Sequence, residues 1–130
     1  MKIMVGYDGT EVSKRGLELA VKHAQAFNGK VFIVTALTQS SDLELKDIEM
    51  AERLLRDAEL ICAEKKIDSE RHLLVNDLEP GESLIQFTKD HKIDEIILGV
   101  RRTSKVGKFL FGSTAQYVIL EAQCPVATVK

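Results

Sequence analysis

The fold is decided by residues 2–37, which read KIMVGYDGTEVSKRGLELAVKHAQAFNGKVFIVTAL. The short apolar run from Lys2 to Tyr7 predicts a buried strand, and turn-forming residues follow it directly. A helical stripe of apolar residues comes next and stops at Asn28–Gly29, a pair that tolerates left-handed backbone geometry. The β-branched run from Lys30 to Leu37 predicts a second buried strand, so this stretch predicts a strand-helix-strand unit.

The same alternation continues to the end of the chain. Three more strands are predicted, at residues 71–75, 94–98 and 126–129. A long helix capped by Ser41 or Asp42 is predicted to run to about Lys66, another begins at Pro80, and a last one is capped by Ser113. Five strands alternating with four helices indicate an α/β fold, an open and mainly parallel five-stranded sheet with helices on both faces. Ligands in such sheets lie beyond the carboxyl ends of the strands, where the winding reverses.

The composition is that of one soluble domain. The chain has 130 residues, 45% of them apolar and 29% charged, and a formal net charge of -2. We therefore expect one domain over residues 1–130 and no field that would attract nucleic acid. The isolated Cys62 and Cys124 are typical of a reducing cytosol and predict a cytoplasmic protein. Neither a signal peptide nor a membrane span is expected, so no membrane partner is predicted.

Asp8, Gly9 and Thr10 directly follow the first predicted strand. A carboxylate at a strand end can bind a ribose hydroxyl or a divalent cation, and the glycine lets the chain turn tightly. Alternatively, Asp8 is a turn residue and Thr10 is the cap of the next helix. The residues themselves leave both interpretations open.

A basic segment follows the fourth predicted strand. Residues 99–114 read GVRRTSKVGKFLFGST and contain four basic side chains and no acidic one. Glycines that flank a helix start allow close backbone approach to the unpaired N–H groups and positive dipole of the helix, which suits a phosphate. The candidate ligand-binding residues at the two ends of the segment are Gly99, Val100, Arg101, Arg102, Gly112, Ser113 and Thr114. The alternative is a solvated loop followed by an ordinary helix.

Over essentially its whole length the chain resembles the universal stress protein family. The resemblance rests on the order of the predicted elements, on Asp8 after the first strand, and on the stretch from Gly99 through Gly112–Ser113 to Cys124–Pro125–Val126. Because it combines motif and context over this length, it is more specific than a lone glycine motif.

Nucleotide-binding members of that family carry the motif G-x-x-G, nine residues, then G-[S/T]. Here Gly99, the nine residues 103–111 and the pair Gly112–Ser113 keep this spacing. Arg102 stands where the second glycine belongs. This arginine either strains the loop or adds a bidentate phosphate ligand.

The resemblance implies a Rossmann-like, nucleotide-binding α-hydrolase-like domain with strand order 3-2-1-4-5. It also implies ATP, with Mg, in a cleft between strands one and four. By the same resemblance Asp8 would contact the ribose or the magnesium ion, and the backbone near Ala36 would meet the adenine. Gly99 would face ribose and phosphate, and residues 112–114 would hold the phosphates.

Together these observations predict an ATP-binding stress-response regulatory protein. A slow ATPase or phosphotransfer enzyme and a scaffold without nucleotide are the alternatives. The sequence offers no evident catalytic base beyond Asp8, which favours a role other than catalysis. The short apolar strand within residues 125–130 is a predicted sheet edge, and the family commonly pairs this strand with its symmetry mate, so a homodimer is expected. A further protein partner stays open.

Overall fold

A computed structural model describes residues 1–101 and 112–130 of the chain. In chain order the elements are β1 (Lys2–Gly6), α1 (Glu11–Phe27), β2 (Lys30–Thr38), α2 (Leu45–Glu64), β3 (Ser69–Asn76), α3 (Pro80–His91), β4 (Glu95–Gly99), α4 (Ser113–Glu121) and β5 (Val126–Val129). The strands pair in parallel in the order β3-β2-β1-β4-β5. The predicted fold class and strand order are confirmed.

Alternating side chains divide the core into two layers. Ile3 and Val5 of β1 pack with residues of α1 and α2, whereas Met4 packs with residues of α3 and α4 on the opposite face. All three are fully buried. Because helices cover both faces of a parallel sheet, the inner strands β1, β2 and β4 contain continuous buried apolar runs instead of alternating with polar residues.

Local signals set both ends of α1 and the start of α3 where they were predicted. Thr10 is the N-cap of α1, and its Oγ1 accepts a hydrogen bond from Ser13 N at 3.3 Å. Asn28 ends the helix in the left-handed region with a φ of 52°. Pro80 occupies the first turn of α3, where its missing N–H costs no helical hydrogen bond.

Two predicted helix starts are wrong. Instead of following a cap at Ser41 or Asp42, α2 begins after Glu44, whose N–H donates to Asp47 Oδ2 at 3.0 Å. The predicted cap of α4, Ser113, is the first helical residue, because the backbone takes up extended cap geometry one residue earlier, at a glycine. Within the described ranges, no helix is long and apolar enough to cross a membrane.

Candidate functional site

The winding of the sheet reverses between β1 and β4. From β1 the chain continues outward to β2 and β3, and α3 then returns it to β4 on the other side of β1. Connections that leave in opposite directions open a crevice at the carboxyl ends of the two strands. A cavity of about 450 Å³ lies at this edge, between the ends of β1, β2 and β4 and the first turns of α1, α3 and α4.

This cavity brings together most of the predicted ligand-binding residues. Those that line it are Asp8, Thr10, Ala36, Gly99, Val100, Arg101, Gly112 and Thr114. Gly9 lines a neighbouring depression. Its φ of 80° favours glycine over other residues, in agreement with the tight turn predicted here. Ser113 is exposed at the first position of α4. Arg102 lies outside the described residues.

Asp8 is held by the first turn of α1. Its Oδ1 accepts hydrogen bonds from Thr10 N at 3.0 Å and from Thr10 Oγ1 at 2.6 Å. Thr10 in turn caps the helix, so the structural alternative for Asp8, a turn residue beside a threonine cap, is confirmed. Both hydrogen bonds from Thr10 are accepted by Oδ1.

The surroundings of Asp8 stabilise its charged form. Burial alone would raise the pKa of Asp8, but hydrogen bonds from Thr10, a contact with Ser13 and the positive charge of Arg101 lower it below the ordinary value. The carboxylate is therefore ionised at neutral pH and is a good hydrogen-bond acceptor. Within the described part of the chain, no group of three or more His, Cys, Asp or Glu is placed to hold a metal ion. A cation at Asp8 would need ligand oxygens from the bound molecule.

Gly99 and Gly112 line the same cavity for different physical reasons. A Cβ on Gly99 would lie 2.4 Å from the carbonyl carbon of Val12 and 2.8 Å from Ser13 N. This glycine therefore lets the end of β4 approach the backbone of α1. A Cβ on Gly112 would meet no described atom within 4 Å, and its φ of -64° is open to any residue. Among the described residues, neither packing nor conformation requires a glycine at that position, and its lack of a side chain leaves space open beside α4.

The first turn of α4 is suited to an anion. Gly112 is its N-cap and has no side chain that could cap the helix. The first N–H groups of a helix have no partner within the helix, and the dipole makes this end positive. Thr114 lines the cavity as well, and its side chain carries a hydroxyl donor.

The backbone of β2 faces the cavity at Ala36. Val34 O accepts a hydrogen bond from Tyr7 N at 2.9 Å, so the polar backbone groups of Val34 point toward β1. In a strand, residues two positions apart direct these groups to the same side, so Ala36 N–H and C=O also point that way. Because β1 ends at Gly6 and Tyr7 O accepts from Thr35 Oγ1 at 2.6 Å, the Ala36 groups lie at the cavity instead of at a neighbouring strand.

Sequence reasoning missed the apolar wall of the cavity. Pro80 and Leu84 of α3 and Ala115 of α4 line it. The sequence pattern predicted Pro80 only as a helix start. The position of α3 in the sequence could have indicated this wall. A helix that starts soon after the third parallel strand begins at the edge of the sheet where the other strands end.

Fold and cavity define a doubly wound α/β protein with a ligand crevice at its switch point. The family model Usp, described as Universal stress protein family, matches residues 1–130. The chain belongs to the universal stress protein family. "Universal stress protein in QAH/OAS sulfhydrylase 3'region" from Thermus aquaticus is 32% identical over 134 residues, which are 98% of this chain and 97% of that protein.

Solved structures of the family share the fold. A universal stress protein from Archaeoglobus fulgidus is 32% identical with a TM-score of 0.92, over 100% of this chain and 98% of that one. The Archaeoglobus fulgidus protein in complex with dAMP is 30% identical with a TM-score of 0.86, with the same coverage of both chains. A universal stress protein in complex with cAMP is 26% identical with a TM-score of 0.79, over 100% of this chain and 97% of that one.

Proposed function

We propose that this protein binds an adenine nucleotide in the cavity between β1 and β4 and acts as a nucleotide-responsive regulatory protein in the cytoplasm. One observation carries the proposal: the same cavity contains an open strand backbone at Ala36 and, at Gly112, a helix start without a capping side chain. The relatives solved with dAMP and cAMP, at 30% and 26% identity, support this ligand class.

The strand backbone at Ala36 suits adenine. The Watson–Crick edge of adenine carries an acceptor, N1, beside a donor, the N6 amino group, and the N–H and C=O of one residue supply the matching pair. Pro80, Leu84 and Ala115 offer apolar surface to a flat base. Guanine presents its acceptor and donor in the opposite order along this edge. We therefore expect ATP to bind more tightly than GTP.

We assign the phosphates to the first turn of α4. The N–H groups of Ser113 and Thr114, the Thr114 hydroxyl and the Arg101 guanidinium are the donors proposed for them. The space beside Gly112 admits a phosphate because a Cβ there would meet no described atom within 4 Å.

We further propose ATP with Mg as the physiological form. The phosphate chain would supply most of the oxygens around the ion, and the Asp8 carboxylate would add one more. Arg102 lies outside the described residues. Mutagenesis can distinguish its two predicted effects, strain in the loop and binding of phosphate. An Arg102→Gly variant restores the family motif and is expected to keep or improve ATP binding if strain dominates, and to weaken it if the guanidinium binds phosphate.

A binding role fits this site better than ATP hydrolysis. A general base works best when its pKa lies near the operating pH, whereas hydrogen bonds and Arg101 lower the pKa of Asp8. Asp8 is thus a weak base, and we assign it to ligand binding. Any phosphate release from ATP that is abolished in Asp8→Ala would contradict this assignment.

The proposed function is tested by native mass spectrometry of the purified protein, followed by thermal unfolding with ATP·Mg, AMP and GTP. Ligand at 100 times its dissociation constant corresponds to about 2.7 kcal/mol, or about 10 °C in Tm at this chain length. We expect such a shift with ATP or AMP and a smaller one with GTP. The variant Thr114→Val should weaken binding, whereas Gln116→Ala, on the exposed face of α4, is the matched control. No shift with millimolar ATP or AMP would overturn the proposal.

We also propose that the protein forms a homodimer through residues 125–130. β5 is an edge strand that pairs with β4 on one side. The carbonyl groups of Pro125 and Val129 accept hydrogen bonds at 3.0 and 2.7 Å from β4 and from the residue after it. By alternation, the polar backbone groups of Thr128 point toward the open edge, where a second copy can pair.

Sedimentation of the wild type and of Thr128→Pro tests the dimer. Proline removes an N–H from the open edge and leaves the pairing with β4 intact, so the variant should sediment as a folded monomer of 14.5 kDa. Thr128→Ala, which keeps the N–H, should behave as the wild type. A wild type that sediments as a monomer removes the proposal.

A further inference from the structure

We propose that the contact between Gly81 of α3 and Tyr117 of α4 sets the spacing of these two helices and thereby positions the base of the bound nucleotide relative to its phosphate. The proposal rests on the nucleotide function proposed above. Gly81 and Tyr117 do not themselves line the cavity, but their neighbours in α3 and α4 do. Both are therefore positioning residues.

Tyr117 lies close to the position that a side chain of Gly81 would occupy. A Cβ on Gly81 would lie 3.0 Å from Tyr117 Cβ, 3.1 Å from its Cδ1 and 3.2 Å from its Cγ. Gly81 is buried, and Tyr117 is 38% exposed. The base of the tyrosine side chain therefore rests against the backbone of α3. Because Tyr117 Cβ is fixed to the backbone of α4, a Cβ at position 81 would require this part of α4 to shift by a few tenths of an ångström.

Backbone conformation does not explain a glycine at position 81. It lies inside α3 and is absent from the described residues with positive φ. Alanine is a better helix former than glycine, because glycine loses more conformational freedom on folding. Its close approach to Tyr117 is the physical reason for the glycine.

Both partners lie within about one turn of the cavity. On α3, Pro80 precedes Gly81 and Leu84 follows one turn later, and both line the cavity. On α4, Thr114 lines the cavity one turn before Tyr117. Because packed interiors transmit a local displacement, a change in spacing at this contact moves Pro80 and Leu84, the α3 part of the proposed base wall, relative to the proposed phosphate site on α4.

Calorimetric titration with AMP and with adenosine tests the proposal. AMP spans the base wall and the start of α4, whereas adenosine lacks the phosphate that would reach α4. In Gly81→Ala we expect the affinity for AMP to fall about tenfold and the affinity for adenosine to change by less than about twofold. Tyr117→Phe keeps the ring in place and should bind both ligands as the wild type does.

The double variant Gly81→Ala/Tyr117→Ala removes the Cδ1 and Cγ contacts at 3.1 and 3.2 Å and keeps only the Cβ contact at 3.0 Å, so it should recover part of the AMP affinity. Such a recovery distinguishes an effect of helix spacing from a general loss of structure, because the losses of AMP affinity from two independent defects would add. Tyr117→Ala alone tests the same spacing from the other helix, and it too should lose more AMP affinity than adenosine affinity. It keeps the proposal testable if Gly81→Ala does not fold.

The outcomes distinguish this proposal from the one on which it rests. A wild type that binds neither AMP nor ATP removes the nucleotide function itself. If the wild type binds AMP, two results overturn the positioning role alone: equal losses for AMP and adenosine in Gly81→Ala or Tyr117→Ala, or no recovery in the double variant.

Discussion

The helices α1 and α4 both begin at the cavity, but they begin in different ways. At α1, Asp8 accepts hydrogen bonds from Thr10, and Thr10 caps the N–H of Ser13. At α4, the N-cap is Gly112, which has no side chain to offer. A helix start at a strand end can thus use its N–H groups for its own stability, as α1 does, or leave them for a ligand, as we propose for α4.

The two glycines of the cavity differ in the same way. Gly99 is packed against the backbone of Val12 and Ser13 in α1, whereas the Cβ position of Gly112 is open among the described residues. We therefore expect changes on the α1 side to affect folding and changes on the α4 side to affect binding.

The largest expected effect is on folding, at Gly99. Gly99→Ala forces a methyl group against backbone atoms of α1, which cannot move aside as the end of a flexible side chain could. Such overpacking costs about 3 kcal/mol. Thermal unfolding should show a Tm about 10 °C lower. A Tm unchanged from the wild type would contradict the close contact between Gly99 and the backbone of α1.

Gly112→Ala should give the opposite result. Its Tm without ligand is expected to stay within about 4 °C of the wild type, because the added methyl group meets no described atom and alanine at an N-cap costs less than about 1 kcal/mol relative to glycine. AMP affinity measured by calorimetry should fall about tenfold, or about 1.4 kcal/mol. If the variant loses stability and keeps AMP affinity, the distinction between the two glycines fails.

A smaller difference is expected between the residues that begin the two helices. Thr10→Ala removes the cap of α1 and should lower the free energy of unfolding by about 1 kcal/mol in urea. Ser113→Ala should change it by less than about 0.5 kcal/mol, because Ser113 is not the cap. Equal losses in both variants would contradict the assignment of Gly112 as the N-cap.

The smallest effect concerns the pH dependence at Asp8. The folded pKa of this carboxyl lies below its ordinary value of 3.8, so its ionised form stabilises the folded state at neutral pH. That contribution is lost as the pH falls through the folded pKa. Asp8→Asn should therefore melt below the wild type at pH 7, and the two melting curves should converge at acid pH. A difference that stays constant down to acid pH would show that the charge plays no part.

Much of the fold could be predicted because its signals are local. Thr10, Asn28 and Pro80 set helix ends through preferences of single residues, and apolar runs marked the strands. The prediction failed at Ser113, because an N-cap lies where the backbone changes from extended to helical conformation, and that residue is Gly112. At α2 the helix begins after Glu44, whose backbone N–H donates a hydrogen bond to Asp47 Oδ2. The periodicity of apolar residues does not indicate such a bond.

The site could be predicted only in part. Asp8 and Gly99 were found because a strand end is visible in the sequence. The packing of Gly99 against Val12, and of Gly81 against Tyr117, joins elements far apart in the chain, and no local pattern contains such an approach. The direction of the Ala36 backbone depends on where β1 ends relative to β2, which is a property of the sheet register.

The central claim is that α4, and not α1, receives the phosphate of an adenine nucleotide. The most direct test is an amide NMR titration of the wild type with AMP and with adenosine. Both ligands should shift the amide of Ala36, and only AMP should strongly shift those of Ser113 and Thr114. Shifts that depend on the phosphate but fall on Glu11 and Val12 at the start of α1, or identical shifts with both ligands, would contradict the claim.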